Sequence, residues 1–228
     1  MLRLSSIVLA ASLMVFAAPG FAAGPPPTPT AAAPATGPTP AERQAQLAAL
    51  CAKVPCRKES RQIEIRADAQ HGFRYTNQQL PYVDPDGTII LYPGETITVS
   101  LAADGDKLAV PKIVSVSDST GAVDLGDAAN KSAVPETTMT FAFSQIPGKP
   151  DMILFATNRT KLMLKYSAII MTPSEQGLKA SRTTICPVLP SNDPKLGFTG
   201  TESWQQGIGM LIVTNLHILP SDGSTACN

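Results

Sequence analysis

The 228-residue sequence has only two histidines, His71 and His217, and it lacks the motifs that mark common hydrolases. It contains no Gly-x-Ser-x-Gly nucleophile elbow, no Ser-x-x-Lys with its companion motifs and no zinc-binding His-Glu-x-x-His. No pair of acidic residues stands out from ordinary surface charge as the two carboxylates of a glycosidase. These absences exclude a recognisable hydrolase and favour a non-catalytic protein. An enzyme with a dispersed site stays an alternative.

The sequence also has no excess of charge, with 18 Lys and Arg against 18 Asp and Glu. Arg3 is the only charged residue in residues 1–22, so the remainder has 17 basic and 18 acidic residues and a net charge of −1. Because no basic excess exists, neither a nucleic acid nor an anionic membrane is expected as the main partner.

Residues 1–22 have the pattern of a secretory signal peptide. Arg3 is the positive start, Ile7–Phe16 is an apolar run of ten residues, and small residues precede a cleavage site after Ala22 or Ala23. The run is too short for a bilayer span, although an uncleaved anchor stays an alternative. We therefore predict a periplasmic or secreted protein with no transmembrane span in its mature chain.

Residues 23–39 are predicted to be a linker rich in proline and alanine. The stretch contains no large apolar side chain to bury, so we expect an extended, polyproline-like conformation. The remaining residues, 40–228, are enough for a single disulfide-stabilised domain with a sizeable core.

The cysteine usage suits an oxidising compartment, because an even count in an exported chain predicts two disulfides. The four cysteines are Cys51, Cys56, Cys186 and Cys227, which allow three connectivities. We favour Cys51–Cys56, which needs only a turn, and Cys186–Cys227, which fixes the C-terminal tail. A zinc site is disfavoured because the Cys-x4-Cys pair has no second tight pair of ligands beside it.

One helix is predicted at the start of the domain. Thr39 is its N-cap, Pro40 occupies the first helical position, and Glu42 completes a capping box. The residues that share one face at helical spacing are Leu47, Leu50, Cys51 and Val54. We expect this face to pack on the domain.

After the helix, apolar and polar residues alternate, which is typical of strands with one buried face. The inward residues of three such runs are Ile63 and Ile65; Ile97, Val99 and Leu101; and Met139, Phe141 and Phe143. Residues 207–219 are predicted to be a final long strand, in which Gly207 and Gly209 indicate a bulge or a close approach. Residues 172–203 are predicted to be mostly loop.

Turn chemistry separates these runs at 84–87, 92–94, 104–106 and 147–148. The first of these, Asp-Pro-Asp-Gly, lacks the further ligands of a calcium loop, so a plain turn is favoured. Several strands, one helix and no strand–helix alternation predict a mainly β fold. We assign it as an antiparallel β-sandwich, immunoglobulin-like, with one short N-terminal helix.

The most apolar stretch outside the signal segment, residues 151–171, is as long as a membrane span but contains Arg159, Lys161 and Lys165. Each of these charges would cost about 3 kcal/mol near the middle of a bilayer. A hairpin avoids this cost, with strands at 152–156 and 161–171 and a turn at 157–160. We therefore predict a hairpin whose second strand has Leu162, Leu164, Tyr166, Ala168 and Ile170 on one face.

Two short stretches carry a resemblance to known families. YPGETITVSL, residues 92–101, resembles the turn and strand of immunoglobulin-like domains in exported bacterial proteins. NRTKLMLKYSAIIMTP, residues 158–173, resembles strands of pilus-chaperone sandwiches. Each resemblance covers under a tenth of the chain and implies a fold type, without functional residues.

Three residues are weak candidates for binding: Trp204, His71 and His217. Trp204 is the only tryptophan; it either presents an exposed aromatic surface or, as we favour, closes the end of the core. Both histidines are expected to be structural or exposed. A copper site made from them and the methionines is disfavoured because the methionines fall at core positions of strands. We predict no catalytic residue, metal or cofactor.

The leading functional hypothesis is an exported, non-catalytic β-sandwich module that binds or structurally supports another envelope macromolecule. The alternative within binding proteins is a chaperone or subunit of a surface assembly that acts by strand addition at an open sheet edge. An exposed, unpaired edge strand would distinguish the second from the first.

Overall fold

The computed structural model describes residues 37, 39–118, 136–175, 177–190, 200–220 and 226–227. Within these residues the fold is mainly β, as predicted, with one helix. The elements in chain order are α1 (Pro40–Cys51), β1 (Gln62–Arg66), β2 (Gly72–Thr76), β3 (Ile89–Leu91), β4 (Glu95–Ser100), β5 (Ala103–Asp104), β6 (Lys107–Leu108), β7 (Lys112–Asp118), β8 (Thr138–Gln145), β9 (Met152–Asn158), β10 (Leu164–Ser174), β11 (Gly177–Thr183), β12 (Gly200–Trp204) and β13 (Met210–Ile218).

The strands form two larger sheets and two small hairpins, all antiparallel. One sheet has five strands in the order β12-β9-β8-β4-β7, and the other has four in the order β11-β10-β13-β3. β1 pairs with β2, and β5 pairs with β6. Antiparallel neighbours account for the alternating pattern of the sequence, because each strand can place one face on the core.

The two larger sheets enclose a common core. Phe141 of β8 meets Tyr166 of β10 edge to face, with ring centroids 5.4 Å apart. A single cluster of buried side chains takes members from both sheets, among them Ile97, Phe143 and Leu211. The fold is therefore sandwich-like, as predicted, whereas the immunoglobulin-like type stays a prediction.

The predicted inward faces of the strands are confirmed, and in β8 the opposite face is buried as well. Met139, Phe141 and Phe143 of β8 are fully buried. Thr140 and Ala142, on the opposite face of the same strand, are buried as well. β8 is the central strand of its five-stranded sheet, and its small outward side chains allow both faces to be covered.

The hairpin predicted for residues 151–171 is wrong. Both strands exist, but β9 belongs to the five-stranded sheet and β10 to the four-stranded one, so residues 159–163 cross between sheets. The buried Asn158 organises this crossing: its Nδ2 donates to the carbonyls of Leu162 and Val188, at 2.7 and 3.1 Å, and its Oδ1 accepts from the Thr160 N–H. The core face predicted for the second strand is nevertheless confirmed from Leu164 to Ile170, whereas Leu162 precedes β10 and is half-buried.

The predicted face of the helix is the one turned to the domain, but it packs loosely: Leu47, Leu50, Cys51 and Val54 are half-buried, and the other residues of α1 are exposed. α1 begins as predicted, with the Thr39 hydroxyl accepting from the Glu42 N–H and the Glu42 carboxylate accepting from the Thr39 N–H. No residue of α1 is buried, and Leu47 and Leu50 stay partly exposed. Two leucines on an otherwise small and polar helix offer too little apolar surface to hold it closely against the sandwich.

The loop predicted at 172–203 contains regular structure. β10 continues to Ser174, β11 pairs with it from Gly177 to Thr183, and β12 begins at Gly200. β11 is the outermost strand of its sheet and is exposed over most of its length. A strand without a buried face has no reason to alternate apolar and polar residues, so periodicity did not reveal it.

The predicted turns and disulfides are present. Turns at all four predicted places contain a glycine with positive φ: Gly87, Gly94, Gly105 and Gly148. The bridges are Cys51–Cys56 and Cys186–Cys227, as favoured from the sequence. Among the described residues, no helix has both the length and the apolar character needed to cross a membrane.

Candidate binding groove along the free edge of β1

The β1–β2 hairpin leaves one edge of β1 open. The bonds that flank its ladder run from the Asn77 N–H to the Arg61 carbonyl and from the Ala67 N–H to the His71 carbonyl. Antiparallel pairing alternates, so odd-numbered residues of β1 turn their backbone groups towards β2 and even-numbered residues turn theirs away. Gln62 and Glu64 therefore direct an N–H and a C=O outward, and no described residue bonds to them.

The open edge borders a groove with a volume of about 410 Å³. All six residues from Arg61 to Arg66 line one side of it. The other side consists of the Pro93–Gly94 turn and residues 144–148 at the end of β8. The groove is therefore bounded along its length by a strand whose outer hydrogen-bonding groups are unused.

One end of the groove is closed by Gln145, whose side-chain amide imitates a neighbouring strand. Its Oε1 accepts from the Arg66 N–H at 2.9 Å, and its Nε2 donates to the Arg66 carbonyl at 2.8 Å. These are the two bonds that a paired residue would make to an outward-facing position of β1. The open part of the edge is thus limited to Gln62 and Glu64.

Arg61 stands at the other end of the groove. Its Nη2 donates to the Pro93 carbonyl at 2.9 Å, and its Nη1 lies 3.3 Å from Oδ1 of Asp118. The Arg61 Nε is buried and has no hydrogen-bond partner among the described residues. The guanidinium therefore crosses from β1 to the opposite wall and closes the groove there.

The segment that leads into β1 is anchored by a buried arginine. The Arg57 guanidinium donates to both carboxylate oxygens of Glu95, with Nε–Oε1 and Nη2–Oε2 distances of 2.6 Å each. Its other N–H groups donate to the carbonyls of Leu80, Pro81 and Ile90. All five guanidinium N–H groups are used, so this charge is buried with complete compensation.

Two tyrosine rings cover the faces of the Arg57 guanidinium. The carbon at its centre lies 4.4 Å from the ring centroid of Tyr82 and 4.7 Å from that of Tyr92. Burial raises the pKa of both tyrosines, and the nearby positive charge of Arg57 offsets part of that rise. Stacking of this kind is favourable when the cation is desolvated.

The hairpin itself is held on the sandwich by a second apolar cluster. Ile63 and Ile65 of β1 are buried with Tyr92, and Tyr75 of β2 packs against the same group. The Tyr75 hydroxyl donates to the Gly209 carbonyl, and burial raises its pKa. This cluster and Arg57 together hold the open edge in place.

The close approach predicted at Gly207 is confirmed. Its N–H donates to the Ala67 carbonyl at 3.2 Å, directly after β1. A Cβ at Gly207 would overlap the backbone carbonyl of Arg66, which has no room to move. Only glycine permits the hairpin to lie this close to the start of β13.

The three residues predicted as weak binding candidates lie elsewhere. His71 is exposed in the β1–β2 turn, with Nδ1 2.8 Å from Asp68 Oδ2, and this hydrogen bond is the main cause that lowers the Asp68 pKa. His217 is half-buried on β13, and its Nδ1 lies 2.7 Å from the Asn215 carbonyl. Trp204 is half-buried against Phe143 and donates to the Thr183 hydroxyl at 2.9 Å. None of the three lines the groove beside β1.

Among the described residues, no three His, Cys, Asp or Glu side chains cluster closely enough to hold a metal ion. No protein-family model matches the chain, and no curated protein or solved structure matches it either.

Proposed function

We propose that this protein is an exported, non-catalytic β-sandwich module that binds another envelope protein by adding an extended segment of it to β1. The observation that carries the proposal is the unused outer edge of Gln62 and Glu64, which faces a groove along the whole strand. Export is supported by the signal-peptide pattern of residues 1–22 and by two disulfides, which persist in oxidising compartments.

Strand addition fits the chemistry of this edge. A partner segment could satisfy four backbone groups, the N–H and C=O of Gln62 and of Glu64, each at a net gain of about 0.5–1.5 kcal/mol. Main-chain bonds of this kind give affinity without sequence selectivity, so alternate side chains of the partner would supply the selectivity by contacting the groove walls. Those walls offer Ile146 and Pro147 as apolar surface and Arg61 as a cation.

The anchoring of the hairpin supports the same function. A flexible edge would lose affinity because binding would have to order it, whereas a preformed edge avoids this cost. Arg57, with all five N–H groups bonded, and the cluster of Ile63, Ile65 and Tyr92 hold β1 in position. The short open stretch between Arg61 and Gln145 also limits uncontrolled edge-to-edge aggregation.

Proline substitution provides the decisive test, since it removes one backbone N–H. Glu64→Pro removes an N–H that faces the groove and leaves the β1–β2 ladder intact. Arg74→Pro is the matched control, because Arg74 is the residue opposite Glu64 in the register and its N–H faces away from the groove. Both variants lose the same exposed ion pair, in which Arg74 Nη2 and Glu64 Oε2 lie 2.7 Å apart.

The binding probe is a phage-displayed library of random linear peptides, selected on the unmodified protein. We expect enriched peptides to bind the Arg74→Pro variant and to lose most of their affinity for Glu64→Pro. Hydrogen exchange should slow at the Gln62 and Glu64 amides when such a peptide binds. The proposal fails if no enriched peptide depends on the Glu64 N–H, or if peptide binding leaves exchange at these two amides unchanged.

A further inference from the structure

The outer surface of the four-stranded sheet contains an acid-free region. The strands β10, β11 and β13 contain no Asp or Glu, although the whole chain has equal numbers of acidic and basic residues. Their basic residues include Lys165, Lys179 and Arg182. This surface is therefore locally positive in a chain without net charge, and it lies apart from the groove at β1.

The register places polar residues of three strands side by side on the face that points away from the core. Ala168 and Ile170 face the core, so Ser167 and Ile169 face outward. Ser167 pairs with Thr214 of β13, and Ile169 pairs with Arg182 of β11. Because paired residues share a face, these side chains lie on one outer surface.

A concavity of about 500 Å³ opens at this place. The residues that line it are Ser167, Ala168, Ile169, Arg182, Thr183, Thr184, Thr214 and Asn215. None of these is acidic, and four carry hydroxyl groups. One row further along the sheet, Lys165 pairs with His217, so one more cationic side chain stands beside it.

The concavity coincides with an irregularity in β13. Between the pairs Lys165–His217 and Ser167–Thr214, β13 takes three steps where β10 takes two, which is a bulge. Asn215 in this bulge has a φ of 52°, and among the described residues it is the only non-glycine residue with a positive φ. Bulges commonly re-aim side chains at binding sites, and Asn tolerates this backbone better than most residues.

Most polar groups of the concavity have no described partner; the exception is the Thr183 hydroxyl, which accepts from Trp204. Arg182 is exposed and has no ion pair or hydrogen bond with any described residue. In the part of the chain that the structure describes, the hydroxyls of Ser167, Thr184 and Thr214 and the Asn215 side-chain amide have no partner either. A guanidinium without a described partner, beside several hydroxyl and amide donors and with no carboxylate in the lining, suits a small oxyanion.

We infer that this concavity, here called the Arg182 site, binds the oxyanion group of a small phosphorylated or carboxylated ligand. Arg182 supplies the forked pair of N–H donors, and the hydroxyls of Ser167, Thr184 and Thr214 with the Asn215 amide complete the ring of donors. Phosphate and carboxylate share this chemistry, and an anionic saccharide of the cell envelope could present either group. The Arg182 site shares no residue with the strand-addition groove, so either proposal can be disproved without affecting the other.

The test is a titration of the isotope-labelled protein followed by NMR, with four probes in separate arms. Inorganic phosphate, glucose 6-phosphate and galacturonate carry the oxyanion in different forms, whereas glucose carries none. We expect the three anions to shift the amide signals of Ser167, Thr184, Thr214 and Asn215 with saturation, and glucose to leave them unchanged. A preference between phosphate and uronate would identify the source of the oxyanion.

Variants separate a built site from general attraction to a positive surface. Arg182→Gln should weaken anion binding by about tenfold or more, the range for a hydrogen-bonded charge, and Arg182→Lys should weaken it less. Asn215→Gly keeps the left-handed backbone and removes only the side-chain amide, so a severalfold loss is expected. Lys112→Gln, on the exposed β7 of the other sheet, is the charge-matched control and should bind as the unmodified protein does.

Three outcomes would overturn the inference. The anions could leave the named amide signals in place up to tens of millimolar. Lys112→Gln could weaken binding as much as Arg182→Gln, which would indicate unspecific charge attraction. Glucose could shift the same signals as strongly as the anions, which would make the oxyanion irrelevant.

Discussion

Arg57 and Glu95 form a two-pronged ion pair in the interior, with 2.6 Å between Nε and Oε1 and between Nη2 and Oε2. Their side chains are only 3% and 1% exposed. Glu95 also accepts the Tyr92 N–H at 2.7 Å, so one carboxylate joins the start of β4 to the turn before it and to the segment that leads into β1. The pair thus connects the five-stranded sheet to the hairpin that carries the groove.

Glu95→Gln should be strongly destabilising. The substitution leaves the Arg57 guanidinium buried without its counter-charge, and removal of one partner of a buried pair typically costs about 3–5 kcal/mol. Urea unfolding monitored by circular dichroism gives the free energy directly. Arg74→Gln breaks the exposed pair with Glu64 and serves as the control, with an expected loss below about 1 kcal/mol. Similar losses in both variants would contradict the role given to the buried pair.

Alkaline conditions should loosen the hairpin through Tyr75. Burial raises the Tyr75 pKa above its ordinary value of about 10, so the folded state favours the neutral phenol. A raised folded pKa contributes stability that is complete below about pH 10 and is lost as the pH rises towards the folded pKa. Above pH 10 the unfolded state binds fewer protons, and each such tyrosine lowers the free energy of unfolding by up to about 1.4 kcal/mol per pH unit.

Tyr75→Phe isolates this contribution. Near neutral pH the variant should be about 1 kcal/mol less stable, because the Gly209 carbonyl loses its donor. Between pH 10 and 11 its stability should fall less steeply than that of the unmodified protein. The check is a series of urea titrations across this range; parallel curves for the two proteins would show that Tyr75 ionises no differently in the folded state.

Export makes a separate prediction about the N-terminus. If residues 1–22 are a signal peptide, mass spectrometry of the envelope fraction should find the chain starting at Ala23 or Gly24. Recovery of a chain that still begins at Met1 and is embedded in the membrane would instead identify an uncleaved anchor.

The parts of the fold that could be predicted are those encoded by neighbours in sequence. Alternation identified the core faces of β1 and β10, and the capping box identified the start of α1. The polar residues 157–160 correctly predict a turn, but such a turn can connect two sheets as well as the two strands of a hairpin. What decides between them is the bond from Asn158 to the Val188 carbonyl, which joins residues 30 positions apart.

The candidate groove could not be predicted from the sequence, because it also depends on contacts between residues far apart in the chain. Arg57 and Glu95 are 38 positions apart, and neither stands out from the other charged residues of the sequence. The edge of β1 is free because, among the described residues, no second strand pairs with it. That is a property of the sheet topology and cannot be read from the residues of β1 alone. Sequence did predict Ile63 and Ile65 as the buried face that fixes this strand in place.

The two disulfides should differ in their contribution to stability, although both form in the same compartment. Cys186–Cys227 spans 41 positions and Cys51–Cys56 spans five. Chain-entropy estimates give about 4 kcal/mol for the longer loop and about 2 kcal/mol for the shorter one, because a longer loop restricts the unfolded chain more. Cys51 is the last residue of α1, and since no residue of α1 is fully buried, the short bridge secures little apolar surface.

Cys227→Ser should therefore lower the free energy of unfolding by more than Cys51→Ser does. Each is best measured with its partner cysteine also replaced by serine, so that no free thiol can exchange. Peptide mapping without reduction should first confirm Cys186 joined to Cys227 in the unmodified protein. Cys186 lies two residues before Val188, which is buried in the core and pairs with Leu164, so losing this bridge should also loosen the start of β10. An equal or larger loss from the Cys51–Cys56 double variant would mean that α1 contributes contacts to the fold that its exposure does not reveal.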